Sequence, residues 1–340
     1  MENVKLLILR LTERCNLKCA YCYAAREGTK PFDMDEATAL RAVELCCMPG
    51  SSLRIQFTGG EPLLKLELME AVAAFGKSSG RRLILSVQTN GTLLTPDVCR
   101  RLKAIRCGVG VSLDGIEEDN KLRVFPDGTP SYGSVVEGIR NLGQAGMCCG
   151  LTAVVTAANA AHLGTLPDLA LYLGNVAGVG LDLFRPLGRG AGQDLAPTPE
   201  DLKIGLRDLK AKTETFQNAG ISFKLRELDR LHKRKALSIC GEAYCYAQTS
   251  LSLAVDGQGN IWPCSSLAGL DTFLLGNIRD SLPQKNDKAD LLAAPKECRS
   301  CDSFALCLGG CPAARTGARK TDQLACLMHH VLSGKEMEEL

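Results

Sequence analysis

The sequence predicts an α/β fold with a parallel sheet, followed by a smaller region rich in cysteine. Three observations predict it. From Lys5 to about Arg185, short β-branched or leucine-rich runs alternate with helical patterns; these make six strand units; and the 17 cysteines concentrate towards the two ends of the chain. Strands that alternate with helices pair in parallel through right-handed crossovers. A chain of 340 residues also exceeds what one hydrophobic core normally organises, so more than one unit is expected.

The strands read as residues 5–11, 53–57, 83–87, 108–112, 151–155 and 180–184, with helical stretches at 35–47, 65–78, 134–145 and 166–173 between them. Asp35 is placed to cap the first helix, and Pro96, just after Thr95, suits a first helical turn. Six units fall short of the eight that close the usual barrel. Residues 191–199, rich in small side chains and proline, read as the exit from this unit. A connecting helix is expected from about 200 to 218. Further on, residues 250–255 and 261–263 flank Asp256-Gly257-Gln258-Gly259-Asn260 and read as a β-hairpin that delivers Cys264. The expected division is therefore 1–190, a bridging region 191–239, and a cysteine-rich region 240–340.

Lys plus Arg number 40 against 38 Asp plus Glu, a balance that points to neither nucleic acid nor an anionic membrane as partner. The apolar run from Val4 to Leu11 is too short to cross a bilayer and lacks the small-residue cleavage site of an export signal, so a cytoplasmic protein is expected. In a reducing compartment, clustered thiols argue for metal ligation rather than disulfides.

The densest motif is Cys15-x3-Cys19-x2-Cys22. A cubane [4Fe–4S] cluster has four irons, so three closely spaced thiolates hold three of them and leave the last with an open position for a substrate or cosubstrate. A zinc site would draw four ligands, usually from two separated pairs, and no nearby histidine completes a set. Three core residues are the other alternative, since free cysteine often packs as a small hydrophobe.

The spacing, with the aromatic Tyr21 just before the third cysteine, resembles the signature of the radical S-adenosylmethionine (SAM) enzymes. The resemblance implies that SAM chelates the open iron through its amine and carboxylate and is cleaved reductively to a 5′-deoxyadenosyl radical that takes hydrogen from substrate, an oxidoreductase chemistry. The six units match that family's partial, open (β/α)6 TIM-like barrel, and the cysteine loop follows strand one at the C-terminal edge where such barrels react.

Other strand ends agree. Gly59-Gly60-Glu61-Pro62 looks like the family's GGEP motif, implying that Gly59, Gly60 and Glu61 receive the amino group of SAM. The segments Thr89-Asn90-Gly91 and Ser112-Leu113-Asp114-Gly115 resemble two more of its motifs. By that resemblance Ser112 and Arg123 are assigned to the SAM carboxylate, with Asn90 or Asp114 nearer the ribose or the substrate. Pro186-Leu187-Gly188-Arg189 resembles the family's closing P-x-x-G-R segment. Each motif can also be read as an ordinary turn.

The second half carries Cys240, Cys245, Cys264, Cys298, Cys301, Cys307, Cys311 and Cys326 in a spacing that resembles the SPASM extension of peptide and sulfatase maturases. The resemblance implies two auxiliary [4Fe–4S] clusters, one on Cys240, Cys245, Cys264 and Cys311, the other on Cys298, Cys301, Cys307 and Cys326. Without Cys240 the first of these would keep an open iron. A zinc ribbon built from Cys298, Cys301, Cys307 and Cys311 is the alternative. Cys46, Cys47, Cys99, Cys107, Cys148 and Cys149 are expected to pack as core residues, and Trp262 in the hairpin. The four histidines and the basic run 232–235 are expected to be structural or solvated.

The leading expectation is thus a maturase of a ribosomally made peptide, carrying SAM and three [4Fe–4S] clusters and reduced by a low-potential donor such as flavodoxin or ferredoxin. The products would be a thioether or carbon–carbon crosslink, an oxidation or an epimer. The same machinery on a small metabolite or tetrapyrrole side chain, or a metal-binding scaffold without catalysis, are the alternatives. Two departures from familiar subgroups stand out. The chain begins a few residues before strand one, without the leader-recognition domain of many peptide maturases. Ser265 follows Cys264 where sulfatase maturases have an aspartate base, and a serine is a poor proton acceptor near pH 7. Asp182, Glu227 and Asp229 are the candidate substrate-side acids.

Overall fold

Leucine at every second position of the first strand decides which way that strand faces. In β1 (Leu6–Thr12), Leu7, Leu9 and Leu11 are wholly buried in the main core, while Ile8, Arg10 and Thr12 point to the opposite face. The computed structural model describes residues 4–25, 31–236, 243–280, 288–315 and 322–335. In it β1 is followed by α1 (Glu36–Cys46), β2 (Ser52–Gly59), α2 (Leu66–Ser78), β3 (Arg82–Thr89), α3 (Pro96–Ala104), β4 (Gly108–Ser112), α4 (Tyr132–Gln144), β5 (Cys149–Val155), α5 (Leu166–Leu173) and β6 (Val176–Leu183). All neighbouring pairs from β1 to β6 are parallel.

Register turns the alternation of single strands into two faces. One row runs Leu9, Phe57, Val87, Val109, Cys149 and Val176 across the sheet and packs under the helices. The adjacent parity holds Gln56, Thr58, Gln88, Ser112, Thr152 and Asp182, which line an internal cavity. A fully packed parallel strand is apolar on both faces; here polar residues replace apolar ones on the inner face towards the C-terminal ends of the strands, and that is what makes the barrel hollow there.

The expected cap at Asp35 and the expected helix start at Pro96 are present, and Thr95 adds a cap of its own. Asp35 accepts a hydrogen bond from the Thr38 N–H at 2.7 Å, and Thr95 accepts one from Val98 at 3.3 Å with Pro96 opening α3. Strand six starts earlier than expected, at Val176, because the glycine-rich Gly178-Val179-Gly180 run lowers its strand propensity without preventing pairing. The connecting helix is α6 (Pro199–Asn218).

The sheet does not stop at six strands. The two-residue β7 (Lys224–Leu225), followed by α7 (Arg226–Ala236), joins β6 in parallel. On the other edge β8 (Ser252–Val255) lies parallel to β1, and β9 (Asn260–Trp262) and β10 (Gly276–Asn277) continue antiparallel from it. The sheet therefore has ten strands in the order β10-β9-β8-β1-β2-β3-β4-β5-β6-β7. The expected hairpin exists and also covers the open edge of the barrel, satisfying donors and acceptors that β1 would otherwise expose. A second small core of Ala247, Trp262, Leu267, Phe273, Leu292 and Ala313 packs beneath the cysteine-rich segments, which contribute α8 (Ala289–Leu292), α9 (Phe304–Cys307) and α10 (Gln323–Ser333). Among the described residues no helix is long and apolar enough to cross a membrane.

The two faces give a contrast that can be measured. Leu9→Ala should cost about 2–5 kcal/mol, because the helix-facing row cannot collapse around the hole. Ile84→Ala, on the inner parity near the N-terminal end of β3 and 48% exposed, should cost less than about 1 kcal/mol. Denaturant midpoints at constant slope would show it; equal losses would contradict the assignment of faces.

Candidate active site

The loop that leaves β1 carries Cys15, Cys19 and Cys22, and it is held by main-chain hydrogen bonds to its neighbours. Gly60 N–H donates to the Thr12 carbonyl at 2.7 Å and Glu61 N–H to the Arg14 carbonyl at 2.8 Å. Lys18 and Ala20 donate to the carbonyls of Val124 and Leu122 at 2.7 and 3.0 Å. The glycine pair after β2 is what permits the first of these contacts. A Cβ on Gly59 would stand 2.2 Å from the Thr12 carbonyl oxygen and one on Gly60 2.1 Å from that of Arg14, so no side chain fits between the two loops.

The loop after β3 braces the same segment. Asn90 Nδ2 donates to Asn16 Oδ1 at 2.8 Å and approaches Cys15 Sγ at 3.8 Å, and Asn16 Nδ2 donates to Thr92 Oγ1 at 2.8 Å. As a result the three thiols face one cavity of about 360 Å³, shared with Gly59, Gly60, Asn90, Ser112, Tyr21 and Arg123. Gln88 Nε2 donates to Ser112 Oγ at 3.1 Å, which orients that hydroxyl. Burial pushes the Cys19 thiol up to about 11, with Arg123 opposing, and raises Cys15 too. Thiolates here need a positive partner such as bound iron.

In the wall Tyr21 and Arg123, with Asp114 behind them, form a buried network. The Tyr21 hydroxyl donates to Asp114 Oδ2 and accepts from Arg123 Nη1 at 2.8 Å, and Asp114 Oδ1 accepts from Val154 N–H at 2.9 Å. Arg123 Nε is shut off from solvent without a partner, and Arg123 is one of the residues that line the cavity. Three thiols, a guanidinium and glycine main chain around one cavity are a donor set that fits a three-cysteine iron–sulfur cluster with an anionic cosubstrate beside it.

The far side of the cavity comes from the hairpin loop Cys264-Ser265-Ser266. Arg10, buried in β1, donates to the Ser265 carbonyl and hydroxyl at 3.3 and 3.2 Å and fixes that loop to the barrel. Cys245, Cys264 and Cys311 lie within electrostatic reach of one another, as do Cys298, Cys301, Cys307 and Cys326. The second group lines a small cavity of about 30 Å³. Among the described residues no three His, Cys, Asp or Glu side chains converge on a single-ion site. Cys240 lies outside the described residues.

The family model described as the radical SAM superfamily matches residues 9–163. An uncharacterized protein of Methanocaldococcus jannaschii is 32% identical over 282 residues, 82% of this chain and 91% of that protein. The chain belongs to the radical SAM superfamily. The mycofactocin maturase MftC of Mycobacterium tuberculosis is 29% identical over 325 residues, 91% of this chain and 78% of the relative. The solved structure of native anSMEcpe with bound AdoMet and the Kp18Cys peptide superposes with a TM-score of 0.81 at 24% identity, covering 97% of this chain and 96% of that one. The C-terminal region of this radical SAM enzyme is of the SPASM type.

In this radical SAM chain two motif residues do not line the cavity. Glu61 does not face the cavity: its carboxylate accepts from Leu63 N–H at 3.0 Å, Thr89 Oγ1 at 2.7 Å and Asn90 N–H at 2.8 Å, and it is wholly buried. Its carboxylate braces two loops, and of the motif only Gly59 and Gly60 line the cavity. Asp114 likewise sits behind Tyr21 and Arg123 rather than against the cavity. Burial raises the carboxyls of both, against the hydrogen bonds and the Arg123 charge that favour the anion.

Cys47, Cys99, Cys107 and Cys149 are core residues and Cys46 packs beside them. Cys148 is exposed, because its neighbour Cys149 takes the helix-facing position of β5. Trp262 packs in the small core, as expected. The candidate acids separate cleanly. Asp182 lines the cavity paired with Arg226 at 3.0 Å, Glu227 is turned to the Leu181 N–H at 3.2 Å, and Asp229 pairs with Lys233 on the surface. Sequence reasoning missed Arg10 and Arg185, although a lone charge in an apolar strand and an arginine at the strand-six exit were both visible.

Glu61→Ala should destabilise the protein by about 3 kcal/mol, since three buried donors lose their acceptor, with Glu61→Gln losing clearly less. Loss of SAM binding at unchanged stability in both variants would return Glu61 to the cavity. A second test uses pH. His329, buried against Tyr244 with Arg230 and Arg234 nearby, has its pKa pushed down to about 4, first by burial and then by those charges. The unfolded chain therefore binds a proton that the folded one refuses between pH 6.5 and 4, and stability falls as pH drops through that window. Wild type should lose about 2 kcal/mol from this group between pH 7 and 5; His329→Phe should remove that part of the slope, and an unchanged slope would contradict it.

Proposed function

We propose that this radical SAM enzyme is a peptide maturase, carrying one SAM-binding and two auxiliary [4Fe–4S] clusters. The observation that carries the reading is the single cavity walled on one side by Cys15, Cys19 and Cys22 and on the other by Cys264-Ser265-Ser266 of the hairpin. The peptide class is supported by MftC and by the peptide-bound anSMEcpe structure. Bound in this cavity, the cluster and SAM would supply a 5′-deoxyadenosyl radical able to take a hydrogen atom from substrate.

The chain's own residues bind, orient and hold charge around that chemistry. Cys15, Cys19 and Cys22 would ligate three irons, and Asn90 and the glycine pair fix their loop. Arg123, held by the Tyr21 hydroxyl, presents its guanidinium to the SAM carboxylate beside Ser112, which Gln88 orients. Gly59 and Gly60 offer main chain to the amine in place of Glu61. Cys245, Cys264 and Cys311, with Cys240, would hold one auxiliary cluster, and Cys298, Cys301, Cys307 and Cys326 the other. Ser265 is bound by Arg10 and supplies no base, so crosslinking or epimerisation is favoured over an oxidation that needs an aspartate at this position. A flavodoxin or ferredoxin in the reducing cytosol would provide the electron.

Anaerobic reconstitution followed by iron counting and a SAM-cleavage assay tests the machinery. About twelve irons per chain and 5′-deoxyadenosine formation, lost on replacing Cys15, Cys19 and Cys22 by alanine, are expected. A colourless preparation that leaves SAM intact would overturn it. For the substrate class, mass spectrometry of a short peptide encoded beside the gene, after co-expression, should show hydrogen lost or a crosslink gained, and chiral amino-acid analysis of its hydrolysate would show an inverted residue. An unaltered peptide alongside turnover of a small metabolite or a tetrapyrrole would favour the metabolite reading.

A further inference from the structure

The segment that leaves β6 touches both cysteine regions through two arginines four residues apart. Arg189 Nη1 donates to the Cys19 carbonyl at 2.9 Å and its N–H donates to the Cys22 carbonyl at 2.9 Å. Gly188, at φ +57°, lies so close that a Cβ would meet the carbonyls of Cys22, Tyr23 and Ala25 at 2.5, 2.6 and 2.8 Å. The contact therefore depends on glycine at that position.

Arg185 reaches the other way. Its Nη1 donates to Ser266 Oγ at 2.8 Å, its Nη2 stands 4.0 Å from Cys311 Sγ, and its guanidinium lies over the Tyr23 ring at 5.4 Å. Among the described residues neither guanidinium has a carboxylate partner, whereas Arg226 in the same wall is paired with Asp182 and Glu227. The Nε of both is shut off from solvent and unpaired. The carboxylates of Asp182 and Asp322 act on Arg185 only from beyond ion-pair distance, so each guanidinium keeps charge to offer a negative group beside it. Thiolate-ligated clusters are such groups, and nearby charge and hydrogen bonds to ligand loops set their reduction potentials.

We infer that the β6 exit is an electrostatic strap between two iron–sulfur sites, with Arg189 positioning the Cys15–Cys22 loop and raising its cluster's potential, and Arg185 doing so for the cluster on Cys264 and Cys311. The inference rests on the proposed reading of Cys245, Cys264 and Cys311 as cluster ligands. Both arginines act as positioning residues, through the cysteines and not on the substrate.

The test is a redox titration of the anaerobically reconstituted protein followed by electron paramagnetic resonance, the first cluster being identified by its spectral change on adding SAM. Arg189→Gln should lower the one-electron reduction constant of that cluster about tenfold, equal to 59 mV, and leave the second within threefold. Arg185→Gln should lower the second by a similar factor and the first by less. Lysine at either position keeps the charge and should stay within threefold of wild type; a tenfold drop in the lysine variants would overturn the strap, and this arm serves if the glutamine variants lose iron. Full iron content with unmoved potentials would also overturn it, releasing Arg185 to serve the substrate. A wild-type count near four irons would instead overturn the reading of the second cysteine group, and the Arg185 half of the inference with it.

Discussion

Cys15, Cys19 and Cys22 sit on a loop with no helix or strand of its own, so their convergence depends on hydrogen bonds made to that loop by other parts of the chain. The exits of β2, β3 and β6 and the segment 122–124 each supply such bonds, and each reaches the loop only because parallel pairing brings the C-terminal ends of the strands to one edge. The site is thus a property of the sheet's register as much as of the motif. A shift of one residue in β2 would move Gly59 and Gly60 off the Thr12–Arg14 backbone and turn the polar inner row towards the helices.

Burying charge around this loop is unfavourable unless every group is answered. Glu61 is answered by three donors and Asp114 by Tyr21 and Val154, while Arg10 holds the hairpin loop through Nη1 with its Nε left unpaired. Arg123, Arg185 and Arg189 are answered only in part, and all three stand beside the thiols or their loop. Stability and function meet there: the residues with satisfied partners hold the loops still, and those with spare charge are aimed at what the thiols would bind.

Much of this was legible in the sequence. Six of the strands, the helices between them, the capping by Asp35, the start of α3 at Pro96 and the hairpin before Cys264 all follow from periodicity and turn residues. What stayed hidden has physical causes. A motif gives spacing but not direction, and nothing in Gly59-Gly60-Glu61-Pro62 says that the carboxylate turns back onto Leu63 and Asn90. The two-residue β7 is too short to carry a period. Pairing of β8 with β1 joins residues some 246 apart, Leu6 with Ser252, for which no local signal exists. The exposure of Cys148 depends on which of two adjacent cysteines takes the helix-facing place at the start of β5, and composition cannot decide that. Cys240 lies outside the described residues.

The central claim is that the Cys15–Cys22 loop leaves one iron free for SAM, with Arg123 and the glycine pair receiving its charged ends. Electron–nuclear double resonance on the reduced protein, with SAM labelled at the amino nitrogen and the carboxylate, tests this most directly. Hyperfine coupling from both labels to the cluster is expected, disappearing when Cys19 is replaced by alanine. A reduced cluster that shows no coupling to either label, with a fourth protein ligand on its iron, would contradict it.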